Sequence, residues 1–267
     1  MSTDKLAHHL HLRAGDVGRY ALLPSNPDHV AAIAALLDDA EFVARNREFE
    51  TWRGTVAGEP VVVTSTGVGG PSTALAVEEL AALGVGTMLR VGVSGSMRSD
   101  TVNGELAVLT GAIRDEGTTR QYLPVEFPAI ASIDVVLALR GAAARAGVPY
   151  RCGTAHTKDS YYGEMEPERM PLAAHLTERF ETWRRGGAIC SEMETAAVFV
   201  VGAVLGVRAG SVVMMWSQEA MATGAAPSTD PLFATAVDAI RALVAADTGD
   251  SRDTADAEPA ARPVLGV

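Results

Sequence analysis

The spacing of apolar and polar residues divides the chain into alternating strand and helix signals. Residues 60–65 (P-V-V-V-T-S) are an unbroken, largely β-branched run, as in a strand buried on both faces. They lead through T-G-V-G-G-P-S into an amphipathic pattern over 73–83 that predicts a helix. An earlier unit has the same form: a short apolar stretch at 19–23, the turn P-S-N-P, and an apolar-periodic segment over about 28–37. Further strands are expected at 88–93, 104–113 and 209–216, and helices at 133–146, 191–205 and 230–246, the helix at 191–205 being mostly buried. Such alternation predicts an α/β fold with helices packed on a largely parallel sheet, where ligands gather at the loops beyond the C-terminal ends of the strands. From Asp247 the residues become small, polar and proline-containing, so 1–246 reads as a single domain and 247–267 as a disordered tail.

Composition narrows the function. With 267 residues, 48% of them apolar, the chain can bury a sizeable core, and its formal net charge of −11 argues against a nucleic-acid or anionic-membrane partner. Cys152 and Cys190 are the only cysteines and have neither metal-ligand nor redox-motif spacing, so two free thiols in a reducing compartment are expected, with no metal site. The opening M-S-T-D-K-L-A-H-H-L has no apolar stretch of signal-peptide length, and the run at 196–207 is too short to span a bilayer. The expectation is a soluble, cytoplasmic protein.

Three places carry candidate chemistry. The loop at 66–72, T-G-V-G-G-P-S, can bring backbone amides to an anion at a helix N-terminus, or simply let a strand turn tightly into Ser72 as a helix cap. Arg90 stands inside an apolar strand, where a guanidinium is costly unless it meets a carboxylate or phosphate, and it precedes a second small-residue loop, G-V-S-G-S. Finally, C-S-E-M-E-T-A-A places two glutamates at the mouth of the buried helix. Ser191 and Glu194 have the S-x-x-E spacing of a capping box, and Glu192 and Glu194, two apart on a helix, would point to nearly opposite sides.

Taken in order, N-R-E-F-E-T-W-R (46–53), S-T-G-V-G-G-P-S (65–72), A-V-E-E-L (76–80), L-R-V-G-V-S-G (89–95), P-V-E-F-P-A-I-A (124–131), K-D-S-Y-Y-G-E-M-E-P-E-R-M-P (158–171) and S-E-M-E-T-A-A (191–197) closely resemble the nucleoside phosphorylase family, in its uridine phosphorylase branch. The resemblance implies a three-layer α/β fold with a mixed central sheet flanked by helices, in a hexamer built from dimers. It implies no cofactor: phosphate is the co-substrate with which a pyrimidine or modified nucleoside is cleaved to free base and (deoxy)ribose 1-phosphate.

The resemblance also assigns roles. For ribose it points to Glu194, Met193 and a supporting Glu192, with His9 reaching the 5′ position from a neighbouring subunit. For phosphate it points to Arg90, to Arg47 contributed across the dimer, and to Ser25, His29, Val93 and Ser94, with Arg90, Glu194 and His29 as the catalytic set. For the base it points to Gly95, Tyr161, Glu164, Arg169 and Gln218.

Both ends of this expected site depart from the family pattern. Ser25, Asn26 and His29 stand where glycine, aspartate and arginine are usual, and Val93 where threonine is expected, so phosphate should be held more weakly. Glu164 replaces a glutamine that recognises the uracil edge, and W-S-Q-E-A lacks an arginine that some members aim at the leaving base, with Gln218 the nearest substitute. A nucleoside hydrolase on the same fold, or a non-catalytic nucleoside-binding protein, are the alternative readings.

Overall fold

The computed structural model describes residues 6–253. In chain order its regular elements begin with β1 (Tyr20–Pro24), α1 (Asp28–Ala34), β2 (Asp38–Asn46), β3 (Phe49–Val56), β4 (Glu59–Thr64) and α2 (Gly70–Leu83). Then come β5 (Thr87–Ser96), β6 (Glu105–Asp115), β7 (Ala129–Ile130), α3 (Ile133–Ala146), β8 (Tyr150–Lys158), α4 (Tyr161–Met165) and α5 (Ala173–Arg185). The last are β9 (Cys190–Glu192), α6 (Thr195–Leu205), β10 (Arg208–Trp216), α7 (Gln218–Thr223) and α8 (Asp230–Asp253).

All ten strands join one mixed sheet. One wing runs outward from β5 through β1, β4, β3 and β2, parallel at β1 and antiparallel at its edge. On the other side β5 pairs in parallel with β10 from Thr87 to Gly95, and the path β10, β6, β8, β9 returns to β5, so these five strands close on themselves. Helices cover both faces. The apolar sides of α2 and α6 pack into one core with Leu23, Val62, Met88 and Met215, and those of α1, α3 and α8 into the other with Leu22, Val63, Leu89 and Val212. This is the three-layer mixed α/β arrangement expected.

One edge of β5 positions the site. It is held by parallel β1 up to Val91 and by antiparallel β9 from Gly95, so the stretch Gly92–Val93–Ser94 lies where its partner changes. Such switch points leave a crevice at the strand ends.

Two sequence expectations are corrected. The helix expected at 191–205 begins only at Thr195, because residues 190–192 are strand β9, fixed by pairing with Gly95 and Ser96 of β5 and with 155–157 of β8. The C-terminal helix does not stop at 246: α8 continues to Asp253, and Asp247 accepts hydrogen bonds from Tyr20 Oη at 2.6 Å and from Arg208 at 2.5 and 2.9 Å. Residues 254–267 of the expected tail lie outside the described residues. No helix among those described is long and apolar enough to cross a membrane.

Candidate active site

Arg90 is fully buried on β5, and its side chain crosses the strand over Gly92, where a Cβ would stand only 2.8 Å from Nη2. Two carboxylates meet it. Its Nε donates to Glu192 Oε2 at 2.9 Å, and its Nη2 lies 2.5 Å from Glu194 Oε2. The capping box is therefore absent in its expected form: Ser191 is a strand residue, and Glu194 is the N-cap of α6 without a side-chain cap bond. Instead Glu192 Oε2 accepts from the backbone N–H groups of Glu194 and Thr195, satisfying the first free amides of α6. Nor do the two glutamates diverge. Strand geometry at 192 and a bend at 193–194 replace the helical spacing, and both side chains converge on one guanidinium.

Glu192 is saturated by the protein, since Thr157 Oγ1 also donates to its Oε1 at 2.5 Å. Burial works against its charge, but the guanidinium and these hydrogen bonds outweigh burial and hold its pKa below the usual carboxylate range. For Glu194, burial raises the pKa, Arg90 opposes the rise and the charge of Glu192 adds to it. Gly69, the N-cap of α2, donates its backbone N–H to Glu194 Oε1 at 2.7 Å. The glycine-rich loop thus serves a carboxylate of the protein itself. Ser72 lies inside the first turn of α2 rather than capping it, because Gly69, with φ 93° and ψ 167°, already occupies that position; its hydroxyl donates to Thr66 O.

Glu192 and Glu194 border a cavity of about 370 Å³ that is lined at this end also by Ser25, Val93, Ser94 and Met193. Arg90 Nη1 has no hydrogen-bond partner, and Ser94 Oγ lies beside the Cys190 thiol without a bond of normal geometry. Buried donors without partners are rare in a folded core, and Ser94, which lines the cavity, offers one to a ligand. Burial pushes the Cys190 thiol up to about 12, so it stays protonated.

The far end is lined by Gly95, Tyr161, Glu164 and residues to which the sequence assigns no ligand role, among them Lys158, Ser191, Trp216 and Met221. Lys158 is buried at the end of β8, with Nζ 2.8 Å from Ser191 Oγ and 3.0 Å from Glu164 Oε2. Ser191 Oγ donates to Glu164 at 2.5 Å, and His156 Nδ1 approaches Ser191 Oγ at 3.0 Å while its Nε2 approaches Asp115 Oδ2 at 3.0 Å. Burial alone would lower His156, but Asp115 and Glu164 outweigh it and its pKa is raised. Glu164 is held low: burial would raise it, and His156, Lys158 and Ser191 overcome that. The signal for Lys158 was present, since a lysine closing the run G-T-A-H-T-K raises the question Arg90 raised: what partners a buried cation.

Three expected site residues fall elsewhere. His29 is on the side of α1 that faces α8: its ring lies 5.2 Å from that of Phe233, and burial lowers its pKa, keeping it neutral at pH 7. Arg169 is exposed in a short 3₁₀ turn, paired with Glu166 and lying over the Tyr162 ring. Gln218 is turned to solvent by the cap that Ser217 makes with Ala220 N, and Trp216 and Met221 take the cavity positions. His9 and Arg47, expected to serve a neighbouring subunit, do not line this chain's cavity. They share one region of surface, where Asn46 Nδ2 donates to His9 O at 2.7 Å and His9 Nδ1 pairs with Glu79.

A family model described as the phosphorylase superfamily matches residues 19–247. The uridine phosphorylase of Treponema pallidum (strain Nichols) is 41% identical over 252 residues, covering 92% of this chain and 97% of that protein. The uridine phosphorylase of Escherichia coli (strain K12) is 38% identical over 209 residues, covering 76% and 83%. The guanosine phosphorylase of Halorubrum lacusprofundi is 37% identical over 204 residues, covering 76% and 80%. On the match to the family model over most of its length, and on this fold and cavity, the chain belongs to the phosphorylase superfamily.

Proposed function

We propose that this chain is a nucleoside phosphorylase that cleaves the N-glycosidic bond of a nucleoside with phosphate, releasing the free base and (deoxy)ribose 1-phosphate. The observation that carries this reading is Arg90, clamped between Glu192 and Glu194, which both line the cavity, with its Nη1 left without a partner. A phosphate oxygen would attack the anomeric carbon as the bond to the base breaks, and the electron pair of that bond would leave with the base. Charge builds in two places: positive on the sugar, negative on the leaving base. Glu194, beside Met193, accepts from ribose hydroxyls and favours the cationic sugar, Arg90 and Ser94 hold the phosphate, and Tyr161 with the polar end around Glu164 receives the base. Phosphate enters as a substrate, and the reading needs no cofactor.

The same reading assigns His9 and Arg47 to a neighbouring copy of the chain, which favours a dimer and, through it, a hexamer, working in the cytoplasm. Sedimentation of the purified protein tests the assembly, and a monomer with full activity would contradict it.

A hydrolase is the second reading, and one observation favours it: Arg90 already faces two carboxylates, and His29, which stands where an arginine is usual in the family, packs against Phe233. Incubation with a panel of nucleosides, with and without phosphate, separates the two. Base release that depends on phosphate supports the phosphorylase; release indifferent to phosphate supports the hydrolase.

A further inference from the structure

We propose that Lys158 and Glu164 act together as the specificity-determining pair for the base, Lys158 Nζ donating to a ring carbonyl and Glu164 Oε1 accepting from the adjacent ring N–H. This deepens the phosphorylase reading and rests on it. The substrates it selects are nucleosides whose base presents a lactam edge, a carbonyl next to a ring N–H, as in uracil, hypoxanthine and guanine.

A glutamine carboxamide offers one donor and one acceptor on a single side chain, whereas the carboxylate of Glu164 only accepts. Alone it would repel a base carbonyl. Lys158 supplies the missing donor from β8, with Nζ 3.0 Å from Glu164 Oε2, and both side chains line the cavity. Two of the three ammonium donors are engaged, one by Ser191 Oγ and one by Glu164, which leaves one. On Glu164, the contacts from Ser191, Lys158 and His156 all fall on Oε2, and Oε1 makes no hydrogen bond among the described residues. One donor and one acceptor are thus left, on two paired side chains that both line the cavity. His156, held between Ser191 Oγ and Asp115, fixes the pair from behind, and Asp115 is in turn bound by Arg179 and by Trp183 Nε1.

This edge also rejects. Cytosine and adenine present an amino group beside an unprotonated ring nitrogen, so an amino donor would face the ammonium and the ring acceptor would face the carboxylate. A site built to hydrogen-bond one edge discriminates strongly against its inverse, because its buried polar groups are left unpaired.

The experiment measures kcat/KM with saturating phosphate for uridine, 3-methyluridine, inosine, guanosine, cytidine and adenosine, on wild type, Lys158→Met and the double variant Lys158→Met/Glu164→Gln. Wild type is expected to favour uridine, inosine or guanosine over cytidine and adenosine by about 100-fold or more, and to lose about 100-fold on 3-methyluridine. Lys158→Met should lose about 100-fold on the preferred nucleoside with the KM for phosphate unchanged. The double variant should regain at least about 10-fold, because the carboxamide carries both functions. Equal use of uridine and 3-methyluridine by wild type, which needs no variant to fold, would overturn the pair, as would full activity in Lys158→Met. If wild type cleaves no nucleoside, the phosphorylase reading fails separately, and calorimetry with free uracil, hypoxanthine, guanine, cytosine and adenine decides the inference. Binding confined to the lactam bases and lost in Lys158→Met supports it, whereas binding without that preference, or no binding, overturns it.

Discussion

Gly69 donates its backbone N–H to Glu194 Oε1 across 2.7 Å, joining residues 125 apart in sequence. The bond holds Oε1 while Arg90 holds Oε2, so Glu194 is aimed before any ligand arrives. Gly69 can do this because φ 93° with ψ 167° is a region that residues with a Cβ rarely enter. Gly69→Ala meets open space, its nearest contact being Pro71 at 4.0 Å, so its cost is backbone strain. We expect a loss of about 1–3 kcal/mol in denaturant unfolding together with a fall in kcat/KM. Unchanged values of both would mean that the loop does not position Glu194.

Removing Arg90 leaves two buried carboxylates facing each other. Arg90→Met should destabilise the protein by about 3–5 kcal/mol, read from the denaturation midpoint at constant m-value. Replacing Glu192 and Glu194 by glutamine in the same chain should recover much of that loss while activity stays absent.

Glu194→Gln keeps the shape of the side chain and removes its charge. Turnover is expected to fall at least about 100-fold, the order lost when one preorganised electrostatic group is removed, with the circular dichroism spectrum unchanged. Burial, opposed by Arg90 and reinforced by Glu192, raises the Glu194 pKa, so the carboxyl takes up a proton at a higher pH than an ordinary glutamate. The kcat/KM profile of wild type should therefore decline as pH falls, starting above the ordinary carboxylate range. A pH-independent profile would remove Glu194 from the ionised role.

Asp115 links the base end to global stability. Burial would raise its pKa, but His156, Arg179 and Trp183 outweigh that and lower it to about 2 from 3.8. The stabilisation is complete above the unfolded value and is lost as pH falls from 3.8 towards 2. It amounts to about 1 kcal/mol once solvent screening of this part-exposed group is allowed for. Asp115→Asn should flatten that stretch of the stability curve between pH 4 and 2, and an unaltered curve would contradict the assignment.

The fold was legible because its strands and helices carry their own periodicity: the run P-V-V-V-T-S became β4, and the helix expected at 133–146 matches α3 residue for residue. Arg90 was legible for the opposite reason, as a charge that broke the pattern. Strand β9 was not. Three residues leading into an apolar helix carry no strand period, and the S-x-x-E spacing imitated a cap, whereas pairing with β5 and β8 decides the conformation. The convergence of Glu192 and Glu194 followed from that strand and could not be inferred without it. The place of His29 against Phe233 was not legible, because matching a motif fixes a position in sequence, not which side of α1 meets α8. Lys158 was visible in the sequence, but its meaning came from Ser191, 33 residues on in β9, and from Glu164, which the fold of α4 turns back towards the end of β8.

The central claim is that Arg90 and Glu194 form one site for phosphate-driven cleavage of a nucleoside. Phosphorus NMR of uridine, inosine and guanosine incubated with inorganic phosphate tests it most directly, run in parallel on wild type and Glu194→Gln. We expect wild type to consume phosphate and produce a sugar 1-phosphate resonance in equal amount to the free base released, and Glu194→Gln to produce none. Base released by wild type with the phosphate resonance unchanged, or no cleavage of any of the three, would contradict it.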